Sequence, residues 1–373
     1  MTDATSKSTS PTWPPYPFLS SPFLQNLGVG AWGYTEALQA SSFGYFQKWQ
    51  QSPANPFSYL RRQNEVRQDL RQLLATAQSA LVFILPYVKA KKRYLYLTSQ
   101  ASGRVSGHSV AYDGLDYHYV GRHALQQIKT AMEQDKLRAI FLGGKTLEVI
   151  AGIDTGPVLE KDLAVRAKLG FIGRHGLLQT PYWGSYVFIA YLILNCRLDL
   201  PPSCNSYAQD LSDISALQNT CANCPGRCQQ ACPVQRWPAN DVGQCLAAVT
   251  LEKEVGVAQK QDLHAQILGC DLCQDACPLN RKVLRDCAAA EQGHSIPEWF
   301  NYRDDFGRQQ NVAANQKMLA LLARPLPEMQ AHVAQLSKRG FQREFQGTVL
   351  AYVGRDKFWQ VLQTAAPNSP GKA

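Results

Sequence analysis

The chain has 373 residues, of which 45% are apolar and 18% charged, and its formal net charge is +9. That length exceeds the roughly 250–300 residues at which a single core stops growing, and the composition excludes a disordered chain. The longest apolar run, Tyr186 to Leu194, is about half of what a bilayer-spanning helix needs, so it reads as a buried strand or core helix and no membrane partner is expected.

Residues 1–23 are rich in Ser, Thr and Pro and lack a basic start before an apolar stretch or a twin arginine. A disordered tail, no export signal and a cytoplasmic location are expected. From 24 to 200, helical and strand-like segments alternate, which predicts an α/β (α+β) domain. Val66 to Ala77 has helical spacing, and Ser79 to Leu85 is an apolar run ended by Pro86, as in a buried strand. Between Tyr87 and Tyr96 four cations interleave with three tyrosines. That mixture suits phosphate contacts beside stacked bases, and equally a solvated loop. Ala124 to Met132 resumes the helical period, and Arg138 to Leu142 reads as a strand. Ile153 to Glu160 is a polar turn leading into an amphipathic helix, Lys161 to Leu169, then a glycine-flanked loop, Gly170 to His175. Leu198 to Ser203 breaks the pattern; a cysteine-rich unit over 201–290 follows, then helical text over 291–373: Ala314–Ala323, Pro327–Ser337 and Gln342–Val353.

All eleven cysteines lie from Cys196 onward, mostly in C-x-x-C groups. In a large chain without a visible export signal, such clustering indicates metal ligation over disulfides. One group is Cys221-x2-Cys224-x3-Cys228-x3-Cys232-Pro233, the other Cys270-x2-Cys273-x3-Cys277-Pro278, with Cys245 between them. In the bacterial ferredoxin pattern three close cysteines hold one cubane while the cysteine before proline reaches the other. That crossing assigns Cys221, Cys224, Cys228 and Cys277 to one 4Fe-4S cluster. The other takes Cys232, Cys270 and Cys273, with Cys245 as fourth ligand. Two zinc sites are the alternative, but the C-x3-C-P endings have no role in a zinc ribbon. The usual C-x2-C-x2-C gains one residue here, at Pro225-Gly226-Arg227. Cys196, Cys204 and Cys287 are left as ordinary thiols.

Several further motifs share one order. They are Ala111-Tyr112-Asp113-Gly114-Leu115-Asp116-Tyr117-His118, Asp154-Thr155-Gly156-Pro157-Val158-Leu159-Glu160, Leu169 to His175, Gln244-Cys245-Leu246 with Thr250-Leu251-Glu252, and Gly269 to Asn280. In this order and spacing, over about 24–355, the chain resembles the epoxyqueuosine reductases, cobalamin-dependent iron–sulfur enzymes. The resemblance implies a base-off cobalamin in the 24–200 domain, a ferredoxin-like two-cluster domain over 201–290, and a short helical-repeat-like end over 291–373. It implies reduction of the epoxide of epoxyqueuosine, at the wobble position of a tRNA anticodon, to the alkene of queuosine.

Asp116 matches the family's proton donor; without the resemblance it reads as a helix cap. Tyr117, His118, Asp154, Thr155, Pro157, Gly173, Arg174 and Ser185 are the matching cofactor-side candidates, although Asp154 and Thr155 also suit a helix cap. The implied partners are a tRNA anticodon stem-loop, held partly by Lys338, Arg339, Arg343 and Arg355, and an external donor of the flavodoxin or ferredoxin type. The family's Lys-Asn is Arg174-His175 here, its Gly-Arg before the aspartate is Gly114-Leu115, and its Cys-Pro-Thr-Gly-Ala is Cys232-Pro233-Val234-Gln235-Arg236. Those departures keep two alternatives open: a dehalogenase-like corrinoid reductase and an iron–sulfur electron carrier.

Overall fold

The computed structural model describes residues 16–52, 55–88, 91, 103–135, 145–207, 212–237, 241–258, 261–285 and 312–365. In chain order its strands are β1 (Ala31–Thr35), β2 (Ser79–Pro86), β3 (Arg104–Val105), β4 (Val149–Ile153), β5 (Phe171–Ile172), β6 (Leu178–Gln179), β7 (Val187–Leu194), β8 (Ser203–Asn205) and β9 (Gln266–Leu268). Five of them form the main sheet, in the order β4-β7-β2-β1-β8, and every neighbouring pair in it is antiparallel. The alternation of helix and strand therefore yields the α+β form of the expected class. Segment type along a chain does not encode strand direction; β2 pairs with β7 across more than a hundred residues, from Ser79 opposite Leu194 to Pro86 opposite Val187.

The run Ser79–Pro86 is buried at every position, which explains why it shows no polar alternation: it sits inside the sheet with both faces covered. The apolar run Tyr186–Leu194 resolves as strand β7. The helix Tyr117–Gln134 lays Val120, Gly121, Ala124, Leu125, Ile128 and Met132 onto the sheet at helical spacing. Gly121 lets the helix approach β4 closely: a Cβ at that position would lie 2.3 Å from Cδ1 of Ile153 and would force that side chain to move.

Three expectations change. Residues 16–23 do not belong to a tail: Tyr16, Phe18, Leu19 and Leu24 are buried in the main core. The helix expected over Val66–Ala77 stops at Gln68. Asp69 turns extended and its carboxylate accepts from the Arg71 amide to start a separate 3-10 turn, a side chain competing with the helix for backbone partners. Gln342–Val353 divides into Lys338–Glu344 and Val349–Val353, with Gly347 at φ +83 between them. The strand expected over Arg138–Leu142 lies outside the described residues.

The expected boundaries also shift. Ser203–Asn205 joins the main sheet beside β1, so the break at Leu198–Ser203 does not detach the cysteine-rich unit. The C-terminal helices share a second core with Leu246, Val249, Ile267 and Leu268. Parallel pairing of β3 with β9 ties that core to the first half of the chain. No described helix is long and apolar enough to cross a membrane.

Candidate active site

The cysteines lie in two groups. Cys221, Cys224, Cys228 and Cys277 line one cavity together with Arg174, His175, Thr220, Pro278 and Leu279; it holds about 330 Å³ of empty volume, part of it open to solvent. The helix Arg227–Gln230 begins after Gly226 at φ +79, so the extra residue in Pro225-Gly226-Arg227 is taken up in a left-handed turn and Cys228 still reaches the cavity. Burial, with Cys277 and Cys221 adding, raises the Cys228 thiol. The second quartet is contributed by three segments. Burial pushes the Cys270 thiol up to about 12, and Cys245 and Cys232 are close enough to add to it. Burial, then Cys270 and Cys245, raises Cys273 further. Every described cysteine is a free thiol. Among the described residues no three His, Cys, Asp or Glu side chains sit at the spacing of a single ion. Cys196 and Cys204 are buried, their thiols pushed up to about 11 by burial, whereas Cys287 lies outside the described residues.

The second constellation forms where the helix Tyr117–Gln134 begins. Asp116 caps it, its carboxylate accepting from the His118 amide at 3.0 Å, and the same oxygen lies 2.7 Å from His118 Nδ1. The cap and the candidate acid are thus one side chain. Asp116 follows a left-handed run, Tyr112, Asp113 and Gly114 at φ +52, +54 and +89, a costly conformation for the two non-glycine residues. That loop rests on the C-terminal helices: a Cβ on Gly114 would lie 2.8 Å from Met318 Cε, and the Asp116 amide donates to Gly347 at 3.0 Å. Opposite, Asp154 stands in a turn at φ +56. The following helix starts at Glu160, so neither Asp154 nor Thr155 caps it. Tyr117 Oη donates to Asp154, and His118 Nε2 lies 3.7 Å from Asp154 Oδ2. The Tyr117 ring stacks on Phe188 at 3.9 Å and 5°. Thr155 and Pro157 lie in the same turn.

Other candidates sit elsewhere. Gly173 and Arg174 occupy the turn between β5 and β6, where the Gly173 amide donates to Leu177 at 3.0 Å and the Arg174 guanidinium donates to the Cys224 carbonyl. The glycine loop therefore serves the first quartet. Ser185 is buried in a seam: its hydroxyl donates to Gln274 at 2.9 Å and accepts from Asn280 at 2.8 Å. Lys91, in the basic stretch read either as phosphate contacts beside stacked bases or as a solvated loop, is instead buried, 2.7 Å from Asp271 and 3.0 Å from Asp275. Burial alone would lower its pKa, but the two carboxylates outweigh this and raise it. The rest of Lys89–Tyr96 lies outside the described residues. At the C-terminal end Lys338 pairs with Asp356, and Arg355 donates to Leu336 and Asp356.

Sequence reasoning missed a group of residues between the two constellations. Lys161 is solvent-accessible, and its pKa is lowered by desolvation, with Arg236 adding, against the opposing pull of Asp154 and Glu160. Its Nζ donates to Gly176 at 2.7 Å. A Cβ on Gly176 would meet Trp237 at 3.5 Å, and the Trp237 indole N–H is buried without a partner among the described residues. Arg236 lies 4.4 Å over the Trp237 ring and close enough to Cys273 to oppose its rise in pKa. His175, buried nearby, is lowered to about 4 by burial, Lys161 and Arg236. Glu160 accepts from the Asp154 amide at 2.5 Å, and burial, then Asp154, raises its pKa well above the ordinary range. The lone signal for Lys161 and Arg236 was position, each next to a motif.

Grouped acid side chains and two groups of thiols on a mixed α/β fold are the equipment of an oxidoreductase. Comparison with known proteins gives the family. Residues 67–146 match the family model described as Epoxyqueuosine reductase QueG, DUF1730. An epoxyqueuosine reductase of Synechocystis is 30% identical over 247 residues, 63% of this chain and 75% of the relative. The structure of the epoxyqueuosine reductase of Streptococcus thermophilus superposes with a TM-score of 0.64 at 20% identity, covering 92% of this chain and 79% of that one. A crystal structure of an epoxyqueuosine reductase with an epoxyqueuosine-modified tRNA-Tyr stem loop superposes at 0.62 and 19% identity, with the same shares covered. This chain belongs to the epoxyqueuosine reductase family.

Proposed function

We propose that this protein reduces the epoxide of epoxyqueuosine in a tRNA anticodon loop to the alkene of queuosine, using cobalamin and two 4Fe-4S clusters. The observation that carries it is the grouping of Asp116, His118, Tyr117 and Asp154 by hydrogen bonds and close contacts, with Lys161 coupled electrostatically to Asp154 and to Arg236, which in turn reaches Cys273. The two quartets suit cubanes: the thiols of the first line one cavity, those of the second are drawn together from three chain segments, and each pairing follows the crossing pattern of two-cluster ferredoxins. Cys221, Cys224, Cys228 and Cys277 would hold one cluster, and Cys232, Cys245, Cys270 and Cys273 the other. The residues present suit a bulky polar macrocycle, since Lys161, the buried and unpartnered Trp237 N–H and the turn Asp154–Pro157 would offer it donors and acceptors beside the Tyr117 ring. Bound there, cobalamin would supply strongly reducing electrons, and the clusters would relay them singly from a flavodoxin- or ferredoxin-type donor.

The chain's own residues then bind and protonate. Asp116 holds a proton where the epoxide oxygen departs, and without that proton the oxygen would leave as a poor, charged alkoxide. Its place at the cap fixes the carboxyl against rotation, and Gly347 fixes its backbone. Tyr117, stacked on Phe188 and bonded to Asp154, shapes the wall. Residues 24–200 would carry the acid, 201–290 the clusters, with Arg236 and Trp237 beside Lys161, and 291–373 the RNA contact. There Arg339 and Arg343 are exposed, with no ionic partner among the described residues, so both are available to phosphate. A single-stranded anticodon loop can splay its bases onto protein side chains. A relative of the same fold is seen with a modified stem loop, which supports this assignment.

Asp116→Asn tests the acid. Asparagine caps helices as well as aspartate, so the loop should keep its place. Iron content, the cobalamin spectrum and stem-loop affinity should persist while epoxide reduction falls about 10²- to 10⁴-fold. Full activity in the variant would refute the assignment.

A further inference from the structure

The two cysteine groups sit in unlike electrostatic surroundings, and under the function proposed above that difference has a redox consequence. A cubane that accepts one electron gains one negative charge and no proton. A fixed carboxylate beside it therefore opposes reduction, and a fixed cation favours it.

Asp271 directly follows Cys270 and precedes Cys273 in the second group, and it is buried. Its Oδ2 accepts from the Gly107 amide at 2.7 Å and from Lys91 Nζ at 2.7 Å, and its Oδ1 accepts from Gln274 Nε2 at 3.2 Å. Every one of these partners is a donor, which suits a carboxylate and leaves no place for its proton. Lys91 does not cancel that charge alone, because the same ammonium serves Asp275 at 3.0 Å, whose other oxygen accepts from Tyr186 at 2.9 Å. His108 Nδ1 stands 3.9 Å from Asp271, beyond a hydrogen bond. The Asp271 charge is felt at the sulfurs of Cys270 and Cys273, with Arg236 opposing it at Cys273.

The first group differs. No carboxylate lines its cavity; Arg174 does, and its guanidinium donates to the Cys224 carbonyl. We propose that Asp271 holds the second cluster at a lower reduction potential than the first, so that an electron rests on the first cluster and leaves from the second, beside Arg236, as from the stronger reductant. Burial keeps the Asp271 charge from being screened by salt, whereas Arg174 is exposed and its pull on the first cluster is weaker.

The test uses the full chain reconstituted with iron and sulfide, without cobalamin or RNA, in a redox titration followed by electron paramagnetic resonance of the reduced clusters. Two midpoints should appear. Cys224→Ser, which removes a ligand of the first cluster only, should keep the lower one. Asp271→Asn should raise that lower midpoint, so that the reduced fraction at a fixed potential grows about tenfold, equivalent to about 59 mV. Iron content and the other midpoint should match the parent protein. Asp271→Glu, which keeps the charge, should stay near the parent value, and Arg236→Gln should move the same midpoint the opposite way. A lower midpoint unchanged in Asp271→Asn, or a Cys224→Ser protein that retains the higher one, would overturn the proposal alone. Where Asp271→Asn takes up less iron than the parent, Arg236→Gln decides, and a midpoint that fails to fall overturns it. A parent protein that takes up no cubane would overturn the functional reading and this inference with it.

Discussion

The main sheet and the cysteine region are held together by different means. Around β2 and β7 the core is continuous and aliphatic or aromatic, with Leu81, Phe83, Ile84, Tyr191, Leu192 and Ile193 at 1% exposure or less. Around the first quartet the corresponding cluster comprises Phe171, Cys277 and Leu279, with Ile214, Leu217 and Cys221 packed against it. Two of those six are thiols that face the cavity. A region with so little apolar burial depends on what its cysteines bind, because cofactor binding free energy there is folding free energy. The sheet has no such dependence.

With the two clusters proposed above, the largest effect should come from removing iron. Chelation, or Cys224→Ser together with Cys273→Ser, should leave the amides nearest the quartets, 212–232 and 270–285, exchanging rapidly while β2 and β7 stay protected in hydrogen exchange. Cys273→Ser alone should lose roughly half the iron, one cubane of two. Equal loss of protection in β2 and β7 would show that both regions unfold as one unit.

What the sequence revealed follows the same division. Strand β2 announced itself by an unbroken apolar run, and the quartets by a spacing in which few residues other than thiols are interpretable. Both are local patterns, and the pairing of Cys277 with the first group followed from one rule about cysteine before proline. Juxtapositions across the chain were not legible. Nothing near Lys91 predicts that it is buried against Asp271, since the partner lies far along the chain and a buried lysine looks in sequence like any surface lysine. The same holds for His118: its neighbour Asp116 is visible, but Asp154 on its other side depends on how the turn after β4 meets the helix. Asp69 was misread for the opposite reason, because its side chain overrides a helical pattern that its neighbours support.

Lys91 is the fastening between the two regions and gives the next largest effect. Its ammonium is 5% exposed and Asp271 is 3% exposed, and Tyr186 on the sheet side donates to Asp275 at 2.9 Å. Burial works to raise the Asp271 pKa, but Lys91 and His108 outweigh it and hold the carboxyl well below its usual range. Removing the cation leaves two carboxylates without their partner. Lys91→Met should cost about 3–5 kcal/mol in urea unfolding. Adding Asp271→Asn should recover part of that loss, because the penalty lies mainly in the abandoned charge. A cost under about 1 kcal/mol, as for a surface pair, would mean that the seam does not join the regions.

The smallest effect belongs to the sheet side alone and tests its independence. Asp162 is buried and accepts from the Ser41 hydroxyl at 2.7 Å, the Ser42 amide at 2.8 Å and Arg166 Nε at 2.7 Å. Burial works to raise its pKa, but Ser41, Arg166 and Ser42 together lower it. A carboxyl depressed on folding stabilises the native state above its unfolded value, about 3.9, and that stabilisation is lost as pH falls through the folded value. Asp162→Asn keeps the shape and removes the charge, so it should cost about 1–3 kcal/mol at neutral pH. The difference between parent and variant should shrink as the solution is acidified below about pH 4. Urea melts of the two proteins at pH 7 and near the acid limit measure this directly. The same difference should appear in protein stripped of iron, because the loop that Asp162 holds anchors Leu38 in the core of the sheet. If stripping iron abolished it, the sheet would owe its local order to the clusters.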